Sequence, residues 1–503
     1  MKTVVSNEQM RRFDSAEIAR GTPSVELMRR AGEAVFESYA WQGPVAIVCG
    51  TGNNAGDGYV LALCLKRAEI PCRLLLLEEK FSPDGAYYFQ QCKDVGVAWS
   101  LCDGREEYSE DREIVDCIFG TGFHGHAVGP VAEVIERINA SGKPVIAVDI
   151  NSGLDGTSGL GSPCVRSALT VAIGAPKTGH FLGDAKDVIG ELKTVDIGIP
   201  IPHEESACRL IEAEDLRAEL PTRPQNSHKG SYGYVALIGG CERYSGAAKL
   251  ANLSCAALRV GCGVSTLAVP RSIAQSVAPY LLESTLAPMA DDGTGYMTYD
   301  PEALDALMQN KKAIAVGMGW GSAAAYPQIL AHLLSHFEGT LIIDADGLNT
   351  LATMDRALLK NATCRVVLTP HLKEFERLSG IPIAETVKDP LSVAERFAKE
   401  SGVCLLLKGC TTVVTNGSET YLCDRGCAGM ATAGSGDVLS GILTGLLGYL
   451  PASPLSVACG AYLAGRAGEL AEAAVGAISM IASDTVNALP RALSEILSGT
   501  DEV

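Results

Sequence analysis

Residues 45–77 read VAIVCGTGNNAGDGYVLALCLKRAEIPCRLLLL, and this stretch decides the fold of the first half of the chain. It opens with a continuous apolar run, passes through a glycine-rich turn at 50–58, and then reads as a helix followed by a second apolar run. Strand, glycine turn, helix and strand in this order are typical of a βαβ unit with a right-handed crossover. Uninterrupted apolar strands predict a parallel sheet that helices cover on both faces.

The same alternation of apolar runs and helical patterns extends in both directions from this unit. Residues 24–40 predict an amphipathic helix that is capped by Ser24. Apolar runs that predict further strands occupy 114–119, 144–149, 234–240, 314–319, 341–346, 366–369 and 403–408. A segment rich in Pro and Glu, 199–225, interrupts this series and predicts a linker between two α/β domains.

Composition narrows the class of protein. The 503 residues are 47% hydrophobic, which argues against disorder because such a chain can offset its ordering entropy. The net charge of -18 disfavours nucleic-acid binding, since phosphate contacts need clustered Lys and Arg. The first residues lack the apolar core of a signal peptide, and no apolar run approaches the ~18 residues of a membrane helix. The 17 cysteines are scattered without a C-x-x-C pair, which predicts reduced thiols in a cytoplasmic protein.

Oxygen-rich side chains accompany three of the predicted strands in the first half. Asn53, Asn54 and Asp57 lie in the glycine turn, Asp116 lies within an apolar strand, and residues 149–155 read DINSGLD. Ligands of α/β proteins bind beyond the carboxyl ends of such strands. Several hard oxygen ligands there suit a cation such as K⁺ or Mg²⁺. Two alternatives stay open, namely an ordinary Asn/Asp/Gly turn and a structural aspartate held by hydrogen bonds.

The stretch 429–437, GMATAGSGD, is the strongest chemical signal in the second half. Its small residues let successive backbone N–H groups converge at a helix start, which makes an anion site for a transferring phosphoryl group. Asp437, at the end of the loop, would accept a proton from a substrate hydroxyl. The alternative is a glycine-rich helix entry with Asp437 as its N-cap.

Other positions in this half have weaker signals. Residues 408–412 read KGCTT after a buried strand and would face nucleotide phosphates, with an ordinary hairpin turn as the alternative. Lys229, in NSHKG, would meet a phosphate or is a solvated loop lysine. His371 follows another strand, where a lone histidine is more often structural than catalytic. Glu374 and Asp346 are polar residues near strand ends with no role assignable from spacing.

The three loops GTGNNAGDG, DCIFGTGF and VDINSGLDG, together with the helix around LMRRAG, resemble the NAD(P)HX epimerase domain, the YjeF N-terminal family, over residues 1–215. The resemblance implies a Rossmann-like three-layer αβα domain that interconverts the R and S forms of hydrated NAD(P)H at C6. It implies a potassium ion held by Asn54, Asp116 and Ser152, and makes Asp149 the candidate acid/base. Two residues depart from the family pattern, Ala55 for a usual Gly and Asn151 for a usual Pro. The implied substrate contacts are Asn53, Asn54, Ala55, Gly56, Asp57, Gly120, Thr121, Gly122, Phe123, His124, Gly125, His126 and Asp149.

The runs NSHKGSYG, YSGAAKLA, TPHLKEFERL, LKGCTT and GMATAGSGDVLSG resemble the ribokinase-like ADP/ATP-dependent NAD(P)HX dehydratase family and place such a domain at 216–503. The resemblance implies that a nucleotide, usually ADP with Mg²⁺ in bacterial members, phosphorylates the C6 hydroxyl of the S epimer before phosphate leaves. It makes Asp437 the base. Departures are Ala433 for Gly, Cys427-Ala428 for a usual Asn, and Leu282-Glu283 for Pro-Glu; Ala433 is the one expected to affect the rate most. The implied substrate contacts are Ala247, Gly319, His371 and Asp437, and the implied nucleotide contacts are Lys408, Gly409, Cys410, Thr411, Thr412 and Gly436.

Together the two resemblances predict a bifunctional metabolite-repair enzyme, an isomerase joined to a lyase. Its expected small-molecule substrates are NADHX or NADPHX and ADP, and it is expected to be cytoplasmic and homo-oligomeric, without a nucleic-acid or membrane partner. One alternative is a ribokinase-like kinase of a vitamin precursor, fused to a non-catalytic Rossmann-like module. Another is that the first half is only a binding or scaffold module.

Overall fold

The chain forms two compact units in the computed structural model, which describes residues 1–102, 104–205, 207–253 and 258–499. The first unit is Thr3–Cys208, and the second combines Met1–Lys2 with Arg209–Val503. The division thus falls before the expected boundary at 215. The reason is that the strand Cys208–Leu210 and the helix after it pack in the second unit, where the Ile211 amide donates to the Leu422 carbonyl.

A parallel sheet of seven strands forms the centre of the first unit, in the order β4-β3-β2-β5-β6-β7-β8. The α-helix that follows Pro23 begins at Ser24 and ends at Glu37, so Pro23 and not the expected Ser24 occupies the N-cap. Its seven strands are β2 (Val45–Cys49), β3 (Cys72–Leu76), β4 (Ala98–Leu101), β5 (Glu113–Cys117), β6 (Val145–Val148), β7 (Ser167–Ile173) and β8 (Ile189–Val195), while the short strand β1 (Lys2–Val4) is not part of this sheet. The helices are α1 (Asn7–Arg20), α2 (Ser24–Glu37), α3 (Asn53–Arg67), α4 (Pro83–Asp94), α5 (Pro130–Ala140) and α6 (Ala185–Val188), with 3₁₀ turns at Thr178–His180 and His203–Glu205.

The strand order fixes where a ligand can bind in the first unit. The chain moves outward from β2 to β3 on one side and from β5 to β6 on the other, so the order reverses between β2 and β5. In open α/β sheets, the crevice beyond the carboxyl ends of the strands at such a reversal is the ligand site. The oxygen-rich loops follow β2, β5 and β6, which are three adjacent strands at this point.

The second unit also contains a mostly parallel sheet, with the order β9-β18-β17-β16-β15-β14-β13-β10-β11-β12 and with β17 antiparallel to both neighbours. Its strands are β9 (Cys208–Leu210), β10 (Tyr234–Ile238), β11 (Val264–Pro270), β12 (Thr285–Met289), β13 (Ala313–Val316), β14 (Thr340–Ile343), β15 (Arg365–Leu368), β16 (Cys404–Leu407), β17 (Thr412–Thr415) and β18 (Thr420–Cys423). Its helices are α7 (Ala213–Glu219), α8 (Ser245–Ala251), α9 (Ala274–Val277), α10 (Pro301–Met308), α11 (Tyr326–His336), α12 (Asp346–Leu351), α13 (Ala357–Lys360), α14 (Leu372–Ser379), α15 (Ile383–Thr386), α16 (Pro390–Ser401), α17 (Ser435–Leu447), α18 (Pro454–Val475) and α19 (Ala482–Ser498). Short 3₁₀ turns occupy Lys229–Tyr232, Arg271–Ile273, Ala278–Tyr280 and Ala428–Met430.

The buried core of the second unit explains the position of its glycine-rich loop. Helices α17 and α18 are buried along most of their length and pack against the apolar side chains of the central strands. This packing brings the first turn of α17 to the carboxyl ends of β13 to β16.

Among the helices in the described part of the chain, none is long and apolar enough to cross a membrane.

Candidate active sites

Three side chains that the sequence analysis grouped as cation ligands lie together in the first unit. Asp116, in β5, accepts hydrogen bonds from the Ser152 hydroxyl at 2.6 Å and the Ser152 amide at 2.8 Å. The Ser152 hydroxyl in turn accepts from the Phe119 amide at 2.8 Å. Asn54 donates to the carbonyls of Phe119 at 2.8 Å and Val148 at 3.1 Å. Asn54 and Ser152 therefore both bond to the Phe119 backbone, and Ser152 connects them to Asp116 at the reversal of strand order.

The oxygen atoms of this group suit a monovalent cation. The Asn54 Oδ1 atom is buried and has no hydrogen-bond partner among the described residues, which is costly unless something else binds it. Burial raises the pKa of Asp116 to about 6, although hydrogen bonds from Ser152 and Ile118 oppose this. No cluster of three or more His, Cys, Asp or Glu residues that could bind a metal occurs in the described ranges. A single carboxylate with neutral oxygens matches K⁺ better than a divalent ion.

Asp149 pairs with a buried lysine, Lys177, which no local pattern in the sequence predicted. The residue follows β6 with a φ of 67°, in the left-handed region that non-glycine residues seldom adopt. Its Oδ1 atom accepts a hydrogen bond from the ammonium group of Lys177, whose side chain is only 1% exposed. His180 Nε2 lies 2.7 Å from the Asp149 carbonyl oxygen. Two residues 28 and 31 positions away therefore fix both the side chain and the backbone of Asp149.

Two further carboxyl groups share this electrostatic environment. Burial and the negative charge of Asp149 raise the pKa of Asp57 well above its ordinary value, and Asp14 adds to the effect. Burial also raises the pKa of Asp14, while Lys177 opposes the shift. Asp57 is a predicted substrate contact in the first turn of α3, whereas nothing in the sequence pointed to Asp14 in α1. The environment therefore favours a proton on these two groups beside a lysine-paired Asp149.

The predicted substrate loop 120–126 lies beside these groups. A Cβ atom added at Gly120 would be 3.7 Å from Asp149 Oδ2 and 3.4 Å from the Asn54 Cβ atom, so this glycine leaves space between the two side chains. The Phe119 and Phe123 rings stack with their centroids 4.5 Å apart. His124 Nδ1 lies 2.7 Å from Asp155 Oδ2, so this exposed histidine is held by a residue of the next loop.

Other residues of the predicted substrate loops are placed by packing. Asn7 donates to the Thr121 carbonyl at 2.9 Å. Ala55 is buried in the apolar core of the first unit, so any ligand contact at this position would be through its backbone. Gly56 faces Met28, since a Cβ atom there would lie 2.4 Å from the Met28 sulfur. The methyl group of Ala55, a departure from the family pattern, is thus accommodated by the core.

Asp344 organises the site in the second unit, and the sequence analysis assigned it no role. It follows β14 and is 1% exposed. Its Oδ1 atom accepts hydrogen bonds from Lys408 Nζ at 3.0 Å and the Thr369 hydroxyl at 2.8 Å. Its Oδ2 atom accepts from the Ser440 hydroxyl at 2.8 Å. One buried carboxylate therefore connects β14, β15, β16 and α17.

Asp437 lies in the first turn of α17, facing this cluster. The helix begins at Ser435, and Gly434, with a φ of 97°, occupies the N-cap position. No side-chain hydrogen bond caps this end of the helix. The alternative of Asp437 as an N-cap is therefore wrong. Burial raises the pKa of Asp437 to about 7, with a further contribution from Asp344, while Lys408 opposes the shift. A carboxyl group that changes protonation near neutral pH is suited to general base chemistry.

The predicted nucleotide residues 408–412 connect β16 to β17. A Cβ atom at Gly436 would be 3.5 Å from Lys408 Nζ and 3.7 Å from Asp344 Oδ2, so Gly436 and Lys408 do meet at the helix start. Burial lowers the pKa of Lys408, but the charges of Asp344 and Glu374 raise it more, so the net shift is upward and the side chain remains an ammonium. Cys410 is exposed and Thr411 is buried at the turn, and Thr412 begins β17.

Among the predicted substrate contacts of the second unit, Gly319 and Ala247 are neighbours, and His371 also caps a helix. Gly319 has a φ of 65°, and a Cβ atom there would be 2.8 Å from that of Ala247, so these two residues are neighbours. The His371 Nδ1 atom caps α14 by accepting from the amides of Lys373 at 3.1 Å and Glu374 at 3.3 Å. Its Nε2 atom is 3.5 Å from Glu374. His371 thus has a structural role in addition to its predicted one.

Of the two interpretations that the sequence left open for Lys229, a phosphate contact and a solvated loop lysine, the structure favours the second. This residue begins the 3₁₀ turn Lys229–Tyr232, immediately before β10. Lys408 follows the carboxyl end of β16, which has the same direction as β10 in the sheet. The two lysines therefore lie at opposite edges of the sheet, and the side chain of Lys229 is exposed.

Comparisons with known proteins match both units. The family model of the YjeF-related protein N-terminus matches residues 24–179, and that of NAD(P)H-hydrate dehydratase matches 235–491. A bifunctional NAD(P)H-hydrate repair enzyme of Moorella thermoacetica is 36% identical, covering 98% of this chain and 96% of the relative. One of Escherichia coli is 33% identical, covering 94% and 90%. A crystal structure of a hypothetical protein from Streptococcus mutans has a TM-score of 0.50 at 23% identity, covering 57% of this chain and 99% of that one, which concerns the fold alone.

These matches decide between the alternatives for the fold and the general class. A Rossmann-like domain followed by a ribokinase-like domain is the fold class that the sequence predicted, and it is confirmed. A vitamin-precursor kinase fused to an unrelated module would not be similar to two-domain repair enzymes over nearly its whole length. That alternative is wrong.

Proposed function

Since the chain belongs to the family of bifunctional NAD(P)H-hydrate repair enzymes, we propose that each unit contains one of the two reactive sites. Residues 1–215 interconvert the R and S epimers of hydrated NADH or NADPH. Residues 216–503 convert the S epimer to NAD(P)H at the expense of ADP. The partly buried Asp437 carboxyl group, beside Lys408 and Asp344 at the start of α17, is the observation that supports the second assignment most directly.

In the dehydratase reaction, Asp437 accepts the proton of the C6 hydroxyl group. The C6 oxygen then forms a bond to the terminal phosphorus of ADP, and the bond from that phosphorus to the bridging oxygen breaks. The C6–O bond breaks next, its electrons leave with phosphate, and a proton is lost from C5. Phosphate is a far better leaving group than hydroxide, which is the chemical reason for using a nucleotide. The N–H groups of 429–437 and the Lys408 ammonium stabilise charge on the transferring phosphoryl group.

The nucleotide would contact Lys408 and Gly436 on one side, with Gly409, Cys410, Thr411 and Thr412 along the turn. Ala247, Gly319 and His371 would contact the hydrated dinucleotide. Asp344 is fully engaged with Lys408, Thr369 and Ser440, which leaves Asp437 as the carboxylate nearest the phosphates. Mg²⁺ would enter with the nucleotide, because this ion commonly binds through phosphates and one or two carboxylates, and it would neutralise phosphate charge.

In the epimerase reaction, Asp149 acts as the acid/base at C6. The residues of 53–57 and 120–126 would hold the hydrated nicotinamide against its carboxylate. K⁺ would be held by Asn54, Asp116 and Ser152, where its charge would compensate the buried carboxylate. The expected cytoplasmic location and homo-oligomeric state remain predictions from the sequence.

A coupled assay tests the assignment. Wild-type protein with the S epimer and ADP is expected to restore the near-ultraviolet absorbance of NADH, and parallel reactions with ATP determine the preferred donor. Asp437→Asn is expected to lower this rate by at least about 10²-fold, because the substrate hydroxyl loses its base. The matched control is Asp355→Asn, an exposed residue of the same unit.

The Asp437→Asn protein is also incubated with the R epimer, and the two epimers are separated by chromatography. Formation of the S epimer shows that the first unit of the variant is still active. Full dehydratase activity in Asp437→Asn would exclude this residue as the base. Failure of the wild-type protein to form NADH from the S epimer with either nucleotide would exclude the proposed reaction.

A further inference from the structure

Lys177 is a lysine in a place where lysines are rarely found. Its side chain is 1% exposed, and a buried ammonium is retained only where it is paired and hydrogen-bonded. The Lys177 ammonium donates to Asp149 Oδ1 and, at 2.9 Å, to the Ile173 carbonyl. These two hydrogen bonds thus go to the strand end of β7 and to the carboxylate of the proposed acid/base.

The backbone of the same segment holds the other side of Asp149. The Lys177 amide donates to His180 Nδ1 at 2.9 Å. Burial lowers the pKa of His180 to about 4, with a contribution from the charge of Lys177, so the ring is neutral and carries one proton. Because Nδ1 accepts, that proton is on Nε2, which donates to the Asp149 carbonyl at 2.7 Å. Side chain and backbone of Asp149 are therefore held by one four-residue segment, 177–180.

This arrangement distinguishes the two oxygen atoms of the carboxylate. The Lys177 ammonium and, at 3.4 Å, the Ile173 amide both donate to Oδ1. Oδ2 is the atom that lies 3.7 Å from the Cβ position of Gly120, at the predicted substrate loop. The oxygen atom that faces the substrate loop is therefore the one that Lys177 leaves free.

We propose that Lys177 is a positioning residue of the epimerase reaction, which pairs with Oδ1 of Asp149 and orients the carboxylate so that Oδ2 acts as the base at C6. This inference rests on the proposed function of the first unit. The alternative is a purely structural ion pair, which would stabilise the fold without changing how the rate depends on pH.

The chemistry at C6 requires an ionised carboxylate at the start. C6 carries a hydroxyl group and is bonded to the ring nitrogen N1, so it is a hemiaminal carbon. Asp149 Oδ2 takes the hydroxyl proton, the C6=O bond forms, and the C6–N1 bond breaks as its electrons move to N1, which takes up a proton. Rotation about C5–C6 and attack of N1 on the other face of the aldehyde reverse these steps and give the other epimer. No oxidant, reductant or second substrate is consumed.

The described titratable groups that interact electrostatically with Asp149 come from three elements. Lys177 and His180 come from the segment 177–180, Asp14 from α1, and Asp57 from α3. Burial raises the pKa of both Asp14 and Asp57, while Lys177 is the cation that is hydrogen-bonded to the Asp149 carboxylate. Asp57, a predicted substrate contact whose pKa burial raises, is the acid that we assign to protonate N1.

Lys177→Met tests the proposal because it keeps the length of the side chain and removes its charge. Epimerisation of purified R epimer is expected to fall at least about 10²-fold at pH 7. The acid limb of the pH–rate profile is expected to move up by about one to three pH units, because the carboxylate retains its proton longer without the adjacent cation. Lys186→Met, an exposed lysine of α6, is the matched control and should match the wild type.

Two further variants separate the possible failures. Asp149→Asn is expected to lose epimerisation at every pH, and full activity in that variant would overturn the proposed function itself. If Asp149→Asn is inactive but Lys177→Met keeps the wild-type rate and acid limb, only the role of Lys177 is overturned. If thermal melting shows that Lys177→Met does not fold, Lys177→Gln, which keeps a hydrogen-bond donor without the charge, replaces it. A folded Lys177→Gln with an acid limb displaced upward supports the proposal, and one with the acid limb at the wild-type pH contradicts it.

Discussion

As the proposed base, Asp437 would have to lose its own proton before it could accept one from the substrate, and its surroundings set the pH at which this happens. Burial, reinforced by Asp344, raises its pKa to about 7. The active form of a base is the deprotonated one, so we expect the dehydratase kcat to fall as the pH decreases through about 7. Lys408→Met should move this acid limb upward, because the cation that opposes the shift is removed.

The measurement is the rate of NADH formation from the S epimer at saturating ADP between pH 5 and 9. Epimerisation by the same Lys408→Met protein serves as the control, since its acid limb should stay where it is in the wild type. An acid limb of the wild-type dehydratase near pH 4 would show that Asp437 is not the base or is far less buried than the structure indicates.

The surroundings of Asn54 lead to a prediction about thermal stability, which can be tested without measuring activity. Its buried Oδ1 atom has no partner among the described residues, so a cation bound there should stabilise the first unit. We expect the first melting transition to rise by a few degrees in KCl compared with tetramethylammonium chloride at equal ionic strength, since ~1 kcal/mol corresponds to ~2–4 °C for a unit of this size.

Asn54→Leu should remove this K⁺-dependent increment while keeping a side chain of similar size. The variant also loses two hydrogen bonds to backbone carbonyls, so only the difference between the two salts is compared within each protein. Equal melting temperatures of the wild type in both salts would argue against a potassium site here.

At the scale of the element, the glycine-rich entry to α17 depends on one glycine in particular. Gly434 has a φ of 97°, and a Cβ atom there would be 2.6 Å from Leu250 Cδ1 and 3.0 Å from the Ala482 Cβ atom. Ala433, the family departure expected to lower the rate most, is exposed and is not among the residues with positive φ. The loop therefore takes its shape from Gly434, and an alanine at 433 meets no steric penalty in its backbone.

We therefore expect Ala433→Gly to change the dehydratase kcat less than about threefold, and Gly434→Ala to lower both kcat and the stability of the second unit. Alanine in the left-handed region costs ~1–2 kcal/mol before any clash is counted. Steady-state kinetics and thermal melting of the two variants in parallel provide the test. A gain of tenfold or more in Ala433→Gly would show that the methyl group obstructs a ligand that the backbone alone does not reveal.

The elements and loops that could be predicted from the sequence are those whose signals are local. The run at 45–49, the glycine turn after it and the helix after that are adjacent in the chain, and so is the glycine-rich entry to α17. Lys177 and Asp344 were missed because each meets its partner across the sheet, 28 and 64 positions away. From its residue type alone a lysine is expected at the surface. Only the packing of β6 beside β7 shows that Lys177 is buried.

At the scale of the whole molecule, the net charge of -18 contrasts with substrates that are all anions. Each site nevertheless contains positive charge of its own, on a lysine that is paired with a buried or partly buried aspartate. The pairs are Lys177 with Asp149 and Lys408 with Asp344. In the second pair, the charge of Asp344 raises the pKa of Lys408 although burial opposes this, which keeps its ammonium group charged. The remaining carboxylates are mostly distributed over exposed surface, where salt screens them from the sites.

The division into two units predicts that the two activities can be supplied by different molecules. Asp149→Asn should dehydrate the S epimer but leave the R epimer unchanged, and Asp437→Asn should do the reverse. Neither variant alone should form NADH from pure R epimer above the uncatalysed rate. An equimolar mixture should do so, because the S epimer released by one protein is consumed by the other.

The measurement is NADH formation from R epimer and ADP at several concentrations of the mixed variants. If the S epimer diffuses freely, the mixture should reach the wild-type rate of NADH formation. The comparison is made with enough R epimer to saturate the wild-type protein. Each variant must first show its one retained activity at the wild-type level. If both do so and the mixture still fails, the S epimer reaches the dehydratase site only within one protein, and the two units do not act as independent catalysts.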